Sequence, residues 1–259
     1  MKAIAIIPAR MGSSRFPGKP MAEIHGIPMI GHCYYRTNLC KDLSATYVAT
    51  CDKEIYDYIE SIGGRAVMTS DMHERATDRT AEAMLKIEQE FDEQVDIVVM
   101  VQGDEPMVLP EMISDSLRPF ESDPRVNVVN LMALMDTVEE FEDPNEVKVV
   151  VNHNNDAIYF SREPIPSRKK GFDTVPMRKQ VCIIPFKRDY LIEFNETQET
   201  ELEKIESVDM MRIIENGGTV RMVPTSAKSF SVDTQEDLKR VELEMENDAL
   251  MAVYADTVL

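Results

Sequence analysis

"KAIAIIPARMGSSRFPGKP" (residues 2–20) opens on an apolar, β-branched run and passes directly into a loop with two glycines and three basic residues. A short run of this kind reads as a strand buried on both faces. Similar runs recur at 45–50 ("ATYVAT"), 65–69 ("RAVMT") and 95–102 ("VDIVVMVQ"). Between them lie stretches with helical spacing. "MIGHCYYRTNLC" (29–40) aligns Ile30, Cys33, Tyr34, Thr37 and Cys40 on one stripe, and "DKEIYDYIESIGG" (52–64) begins with an Asp cap and stops at Gly63-Gly64. "ATDRTAEAMLKIEQEF" (76–91) is a third helix, and "TQEDLKRVELEMENDALMAVYADTVL" (234–259) is read as a long C-terminal one. Strand, helix, strand, helix, strand through the first ~105 residues predicts an α/β fold, with a mostly parallel central sheet and helices on both faces.

Beyond residue ~125 the strands crowd together. They are predicted at 126–134, 146–152, 157–161, 180–186, 219–224 and 229–232 ("SFSV"). This implies a small β-rich sub-lobe at approximately 150–190 within a single domain spanning 1–259. "SREPIPSRKKGFDTVPMRK" (161–179), with three prolines and a basic run, reads as a mobile loop or subunit contact.

The chain has 259 residues, 43% hydrophobic and 29% charged, the balance of a soluble globular protein. No apolar run reaches the roughly 20 residues of a membrane span, so no membrane insertion is expected. The first run is shorter than the ~7–15 residues of a signal core, which points to a cytoplasmic protein. Cys33, Cys40, Cys51 and Cys182 form no CxxC pair, and the four histidines add no ligand-spaced cluster; reduced thiols are expected. The net charge of −19 argues against a nucleic acid polymer as partner. It also makes Arg10, Arg15 and Lys19, in a segment free of acids, a local reversal of sign.

The loop leaves the carboxyl end of the first strand, where ligands gather in open α/β sheets. It is not a Walker A loop. Five residues separate Gly12 from Gly18, Pro20 stands where a magnesium-binding hydroxyl belongs, and no long helix follows. Gly12, Ser13 and Ser14 can nonetheless offer N–H groups and hydroxyls to phosphate. Arg15 adds a forked donor and Lys19 a point charge. The competing reading is an exposed basic loop.

"PARMGSSRFPGKPM", "ATCDKEI", "GGRAVMT", "ATDRTAEA", "VQGDEP" and "SVDTQEDLKRV" resemble, in order, the CMP-Kdo synthetases (3-deoxy-manno-octulosonate cytidylyltransferases) over nearly the whole chain. The resemblance implies a Rossmann-like nucleotidyltransferase fold, a homodimer, CTP with Mg2+, and transfer of CMP to the anomeric hydroxyl of a 2-keto-3-deoxy sugar acid (Kdo or an analogue such as amino-Kdo), with release of pyrophosphate. Lipopolysaccharide biosynthesis is the family's setting.

Asp104 and Glu105 follow a buried strand, and Pro106 beside them also suits a plain turn. Asp233 precedes a helix that Asp233 or Thr234 could cap. The resemblance makes Asp104 and Asp233 the paired metal ligands, a small carboxylate set of the kind Mg2+ prefers. Arg15 and Lys19 then stabilise charge on the β- and γ-phosphates. Backbone groups around Pro8, Ala9 and Arg10 can read a pyrimidine, with CTP and UTP both open. For the acid, the resemblance offers Thr77, Asp78, Arg79 and Gln102, and Glu203 and Glu206 in "TELEKIESVDMMR". A helix start would account equally for Thr77 and Asp78, and an exposed helical face for the two glutamates.

Two departures bear on the acceptor. Arg75-Ala76 replaces the family's usual Ser-Gly, and Gln180 stands where relatives carry a histidine facing the sugar. Rival readings are a nucleotidyltransferase for another sugar or acid acceptor, and a non-catalytic nucleotide sensor on the same fold. The C-terminal "ENDALMAVYADTVL" is a further candidate subunit contact.

Overall fold

The computed structural model describes residues 1–12, 15–170 and 175–255. The chain forms two compact units, Met1–Ser114 with Ser229–Leu259, and Asp115–Lys228. The strand-rich stretch expected near 150–190 lies within the second, and the dividing point falls inside one helix.

The first unit opens with β1 (Ala3–Ala9), buried at all seven positions, followed by the short β2 (Glu23–Ile24) and β3 (Ile27–Pro28). Next come α1 (Met29–Asn38), β4 (Ala45–Thr50), α2 (Lys53–Ser61), β5 (Ala66–Met68), α3 (Ala76–Phe91), β6 (Ile97–Val101) and α4 (Pro110–Ser122). Strands β6, β1, β4 and β5 lie in that order and all pair parallel. Right-handed crossovers then place α1 and α2 on one face and α3 on the other. Gly31 of α1 accordingly packs on Tyr58 of α2. With both faces covered, β1 and β6 must be apolar throughout, as their sequences are.

The second unit contains β7 (Val129–Leu134), α5 (Val138–Glu142), β8 (Lys148–Val151), β9 (Ala157–Ser161), β10 (Arg178–Val181), β11 (Ile183–Lys187), α6 (Arg188–Glu196), α7 (Glu201–Glu206), α8 (Met210–Glu215) and β12 (Arg221–Thr225). Its sheet runs β12-β7-β10-β8-β9, parallel between β12 and β7 and antiparallel elsewhere. The expected strand at 180–186 is broken at Cys182 into β10, which pairs with β7, and β11, which touches Val128 through Phe186.

The chain then returns to the first unit with α9 (Gln235–Glu244) and α10 (Met251–Ala255). The long C-terminal helix expected from the sequence is therefore two. The turn between them carries Asp248, which accepts both guanidinium arms of Arg36 at 3.1 Å; this buried ion pair fixes the chain where the helix would have continued. "SFSV" (229–232) is not a strand. Its polar atoms are held individually instead: Ser229 Oγ donates to Glu105 at 2.8 Å, and Val232 N–H donates to the Asp104 carbonyl at 3.0 Å.

Candidate active site

At the carboxyl ends of β1 and β6 lies an open cleft of about 320 Å³. Among the described residues, those lining it all belong to the first unit. Five of its residues are cations (Arg10, Arg15, Lys19, Arg75, Arg79) and three are carboxylates (Glu74, Asp104, Asp233). In a chain with 19 excess negative charges this is a local basic surface.

The opening loop is closed at its neck by Gly18 N–H donating to the Met11 carbonyl at 3.1 Å. Gly18 has φ 75°, a left-handed conformation that glycine adopts without steric cost. Its Met11 N–H donates in turn to Asp52 Oδ2 at 2.8 Å. The sequence suggested Asp52 as the cap of α2. In the structure it makes no side-chain cap and anchors the loop instead. Lys19 begins a short 3-10 helix (Lys19–Met21) with Pro20 buried behind it. Phe16 packs against a buried cluster of Ile24, Met29, Val232, Val241 and Met245, so the loop and the segment bearing Asp233 share one core. Burying each of those side chains stabilises by roughly 1.5–3 kcal/mol.

The strand β6 ends in "QGDEP". Gly103 approaches the Pro8 carbonyl so closely that a Cβ there would lie 3.0 Å from it. This brings Asp104 up beside the loop. The Val232–Asp104 backbone bond then sets the next residue, Asp233, alongside it. The two acids, far apart in sequence, converge on one ammonium. Lys19 Nζ donates to Asp104 Oδ2 at 2.8 Å, to Asp233 Oδ1 at 3.3 Å and to the Val232 carbonyl at 2.7 Å. Arg15 adds a bond to Asp233 Oδ1 at 2.9 Å. Burial works against the charged form of Lys19, but Asp104 and Asp233 outweigh it and raise its pKa. The capping alternative for Asp233 is resolved locally. Thr234 and Asp237 form the capping box of α9, and the Asp233 side chain is directed to Arg15 and Lys19.

Of the residues proposed from sequence, Pro8, Ala9, Arg10, Gly12, Arg15, Lys19, Arg75, Arg79, Gln102, Asp104 and Asp233 line the cleft. Ser13 and Ser14 lie outside the described residues. Thr77 is fully buried in the first turn of α3 and Asp78 is half-buried beside it; neither lines the cleft. Ala76, in place of the family's glycine, is simply the first residue of α3 and needs no positive φ. Arg79 is 3% exposed and donates to Thr69 Oγ1, while its Nη2 has no hydrogen-bond partner among the described residues.

The other three candidates belong to the second unit and bond within it. Gln180 donates to Asn130 Oδ1 at 2.5 Å. Glu203 is fully buried against Arg212, at 2.6 and 2.8 Å. Glu206 accepts from Tyr159, Ser161 and the Arg162 N–H.

The sequence reading missed His73 and Glu74, which also line the cleft. His73 hydrogen-bonds Glu82 on α3. Burial opposes ionisation of Glu82, but bonds from Lys86, the Ser70 N–H and His73 hold its carboxyl at about 2. A lone histidine in a loop gives no periodic signal; its partner nine residues on was the available clue.

A parallel α/β unit with a basic cleft at its strand ends and two acids converging there defines a nucleotide-handling enzyme. The family model described as "Cytidylyltransferase" matches residues 4–251. The 3-deoxy-manno-octulosonate cytidylyltransferase of Geobacter metallireducens is 40% identical over 251 residues, covering 93% of this chain and 96% of its own. The enzyme of the same name from Trichlorobacter lovleyi is 38% identical, covering 95% and 99%. A solved structure of CMP:2-keto-3-deoxy-manno-octonic acid synthetase complexed with CTP superposes with a TM-score of 0.86 at 36% identity, covering 95% of this chain and 98% of that one. The chain belongs to the cytidylyltransferase family, among the 3-deoxy-manno-octulosonate cytidylyltransferases.

Proposed function

We propose that this protein transfers CMP from CTP to the anomeric hydroxyl of 3-deoxy-manno-octulosonate or a close analogue, releasing pyrophosphate. The observation that carries the reading is the convergence of Asp104 and Asp233 on one cationic point beside the basic loop. In the reaction the acceptor oxygen bonds to the α-phosphorus, the bond from that phosphorus to the bridging oxygen breaks, and the hydroxyl proton passes to solvent.

The residues present fit Mg2+. Two carboxylates are already drawn to a shared positive charge, and Mg2+ takes its remaining ligands from water and substrate phosphates. Asp104 and Asp233 would hold it. Bound there, it would neutralise non-bridging phosphate oxygens and would lower the pKa of the attacking hydroxyl. The protein's own part is electrostatic. Arg15 and Lys19 offset charge that builds on the departing pyrophosphate. Backbone groups of Pro8–Arg10 lie at the wall where a small base can be read. Arg75 and Arg79 supply cations at the cleft for the acceptor's carboxylate.

Of the departures from the family pattern, Gln180 is absorbed by local structure, while Arg75 and Ala76 both line the cleft. A pyrophosphate-release screen of four nucleoside triphosphates against Kdo, an amino-substituted Kdo and other 2-keto-3-deoxy acids tests the reading. CTP with one such acid should turn over; turnover with none of them, or with a sugar 1-phosphate instead, would overturn it. We place the reaction in the cytoplasm, where free thiols and CTP coexist, and propose a homodimer, to be checked by light scattering. Among the described residues, no helix is long and apolar enough to cross a membrane.

A further inference from the structure

The ammonium of Lys19 has three N–H donors, and the structure matches them to three acceptors: Asp104 Oδ2, Asp233 Oδ1 and the Val232 carbonyl. None of the three is left for a phosphate. The side chain is only 13% exposed, so it is seated among the acids and not merely resting on them. With Arg15 also on Asp233, two cations balance two carboxylates. An acid pair neutralised in this way has little net field to attract a second cation, and an ion contacting both carboxylates must occupy space the ammonium fills.

We propose that Lys19 is a resident occupant of the divalent-cation position, so that the nucleotide-free protein excludes the metal and admits it only with a nucleotide whose phosphates draw Lys19 away. The inference rests on the reading of Asp104 and Asp233 as metal ligands given above. Lys19 thus exchanges carboxylate partners for phosphate partners, and metal and nucleotide enter as one event. An empty acid pair that captured stray cations between turnovers is avoided. The gate is positional: the same nitrogen cannot satisfy Asp104, Asp233 and a triphosphate together.

The test uses the full chain and Mn2+ as probe, with free Mn2+ followed by electron paramagnetic resonance. Without nucleotide, Lys19→Met should bind Mn2+ at least tenfold more tightly than wild type, and Lys19→Arg, which keeps the charge, should not. Adding Mn2+ should raise the melting temperature of Lys19→Met more than that of wild type. Equal Mn2+ affinity in wild type and a folded Lys19→Met would overturn the proposal. A second measurement is made on the wild type. Without nucleotide, Mn2+ at a concentration that saturates Lys19→Met should leave acetylation of wild-type Lys19 unchanged, read by mass spectrometry against the exposed Lys53. Several-fold faster acetylation of Lys19 under Mn2+ alone would also overturn it, because the metal would then displace the ammonium without nucleotide. Asp104→Asn and Asp233→Asn separate the two levels. If they abolish Mn2+ binding in the presence of a non-hydrolysable CTP analogue while Lys19→Met gains nothing without it, the Lys19 gate fails and the metal site stands. If they change Mn2+ binding in neither state, both fail.

Discussion

Met11 donates its backbone N–H to Asp52 Oδ2 at 2.8 Å, tying the neck of the basic loop to the end of the neighbouring strand. Asp52 is itself fixed by its own N–H on Thr50 Oγ1 at 3.0 Å. The loop's position is thus set by a carboxylate that is not itself among the residues lining the cleft.

Asp52→Ala should therefore act at a distance. Losing one bond to a charged acceptor costs about 1.5–3 kcal/mol, and a loosened loop should raise KM for CTP by roughly tenfold, the equivalent of ~1.4 kcal/mol. Asp52→Asn keeps an acceptor oxygen and should be much milder. Steady-state kinetics on both variants checks this; equal KM values for Asp52→Ala and wild type would contradict it.

Gly103 is the second positional device. A methyl group there would sit 3.0 Å from the Pro8 carbonyl and 3.3 Å from Ile30 Cδ1, both in the buried interior. Gly103→Ala should destabilise by about 1–3 kcal/mol, the usual cost of overpacking, and displace Asp104 from Lys19. Urea unfolding measures the first effect and loss of turnover in the folded variant the second.

Much of this was legible in the sequence, and the failures have physical causes. Continuous apolar runs at β1 and β6 and the acid-free basic loop identified the parallel sheet and the cleft, because burial on both faces leaves no other composition. The break at Cys182 was invisible, since an unbroken apolar run does not reveal that β10 and β11 find different neighbours. The split of the last helix depends on Arg36 reaching Asp248, a contact between distant segments. The resemblance offers Glu203 and Glu206 as sugar-side candidates; that they bond Arg212 and the Tyr159–Arg162 segment is not legible in the sequence, because exposed and buried glutamates look alike until their partners are in place.

Glu203 offers a clear separation of roles. Its carboxylate is fully buried on Arg212, which also donates to the carbonyls of Phe194 and Thr197 and lies 4.3 Å over the Phe194 ring. Breaking one side of such a pair strands a buried charge, at a cost of about 3–5 kcal/mol. Arg212→Met and Glu203→Gln should each lose stability on that scale in urea melts. A stable Glu203→Gln with a raised KM for the sugar acid would instead make Glu203 a substrate contact.

His32 predicts an acid-sensitive C-terminal helix. Tyr254 of α10 donates to His32 Nδ1 at 2.7 Å, and His32 Nε2 donates to the Ile24 carbonyl at 2.9 Å, so the neutral ring is the form that fits. Burial lowers its pKa to about 4; the Ile24 bond opposes this, Arg36 and His25 add to it, and Asp248 opposes it. The unfolded chain, with a histidine pKa near 6.5, binds more protons between those values. Stability from this group is complete above pH ~6.5 and falls by on the order of 3 kcal/mol as pH drops to about 4. Urea midpoints at pH 7 and 4.5 should differ less in His32→Asn than in wild type; identical differences would rule the mechanism out.

The most direct test of the whole account is magnesium-dependent pyrophosphate release from CTP and Kdo by Asp104→Asn and Asp233→Asn, each confirmed folded by its melting profile. Because backbone bonds such as Val232 to Asp104, not the carboxylates alone, hold the segments together, both variants should fold. Both should lose turnover by at least a hundredfold, ~2.7 kcal/mol of transition-state stabilisation. Near-normal rates in either would show that its carboxylate takes no part in the chemistry at this cleft.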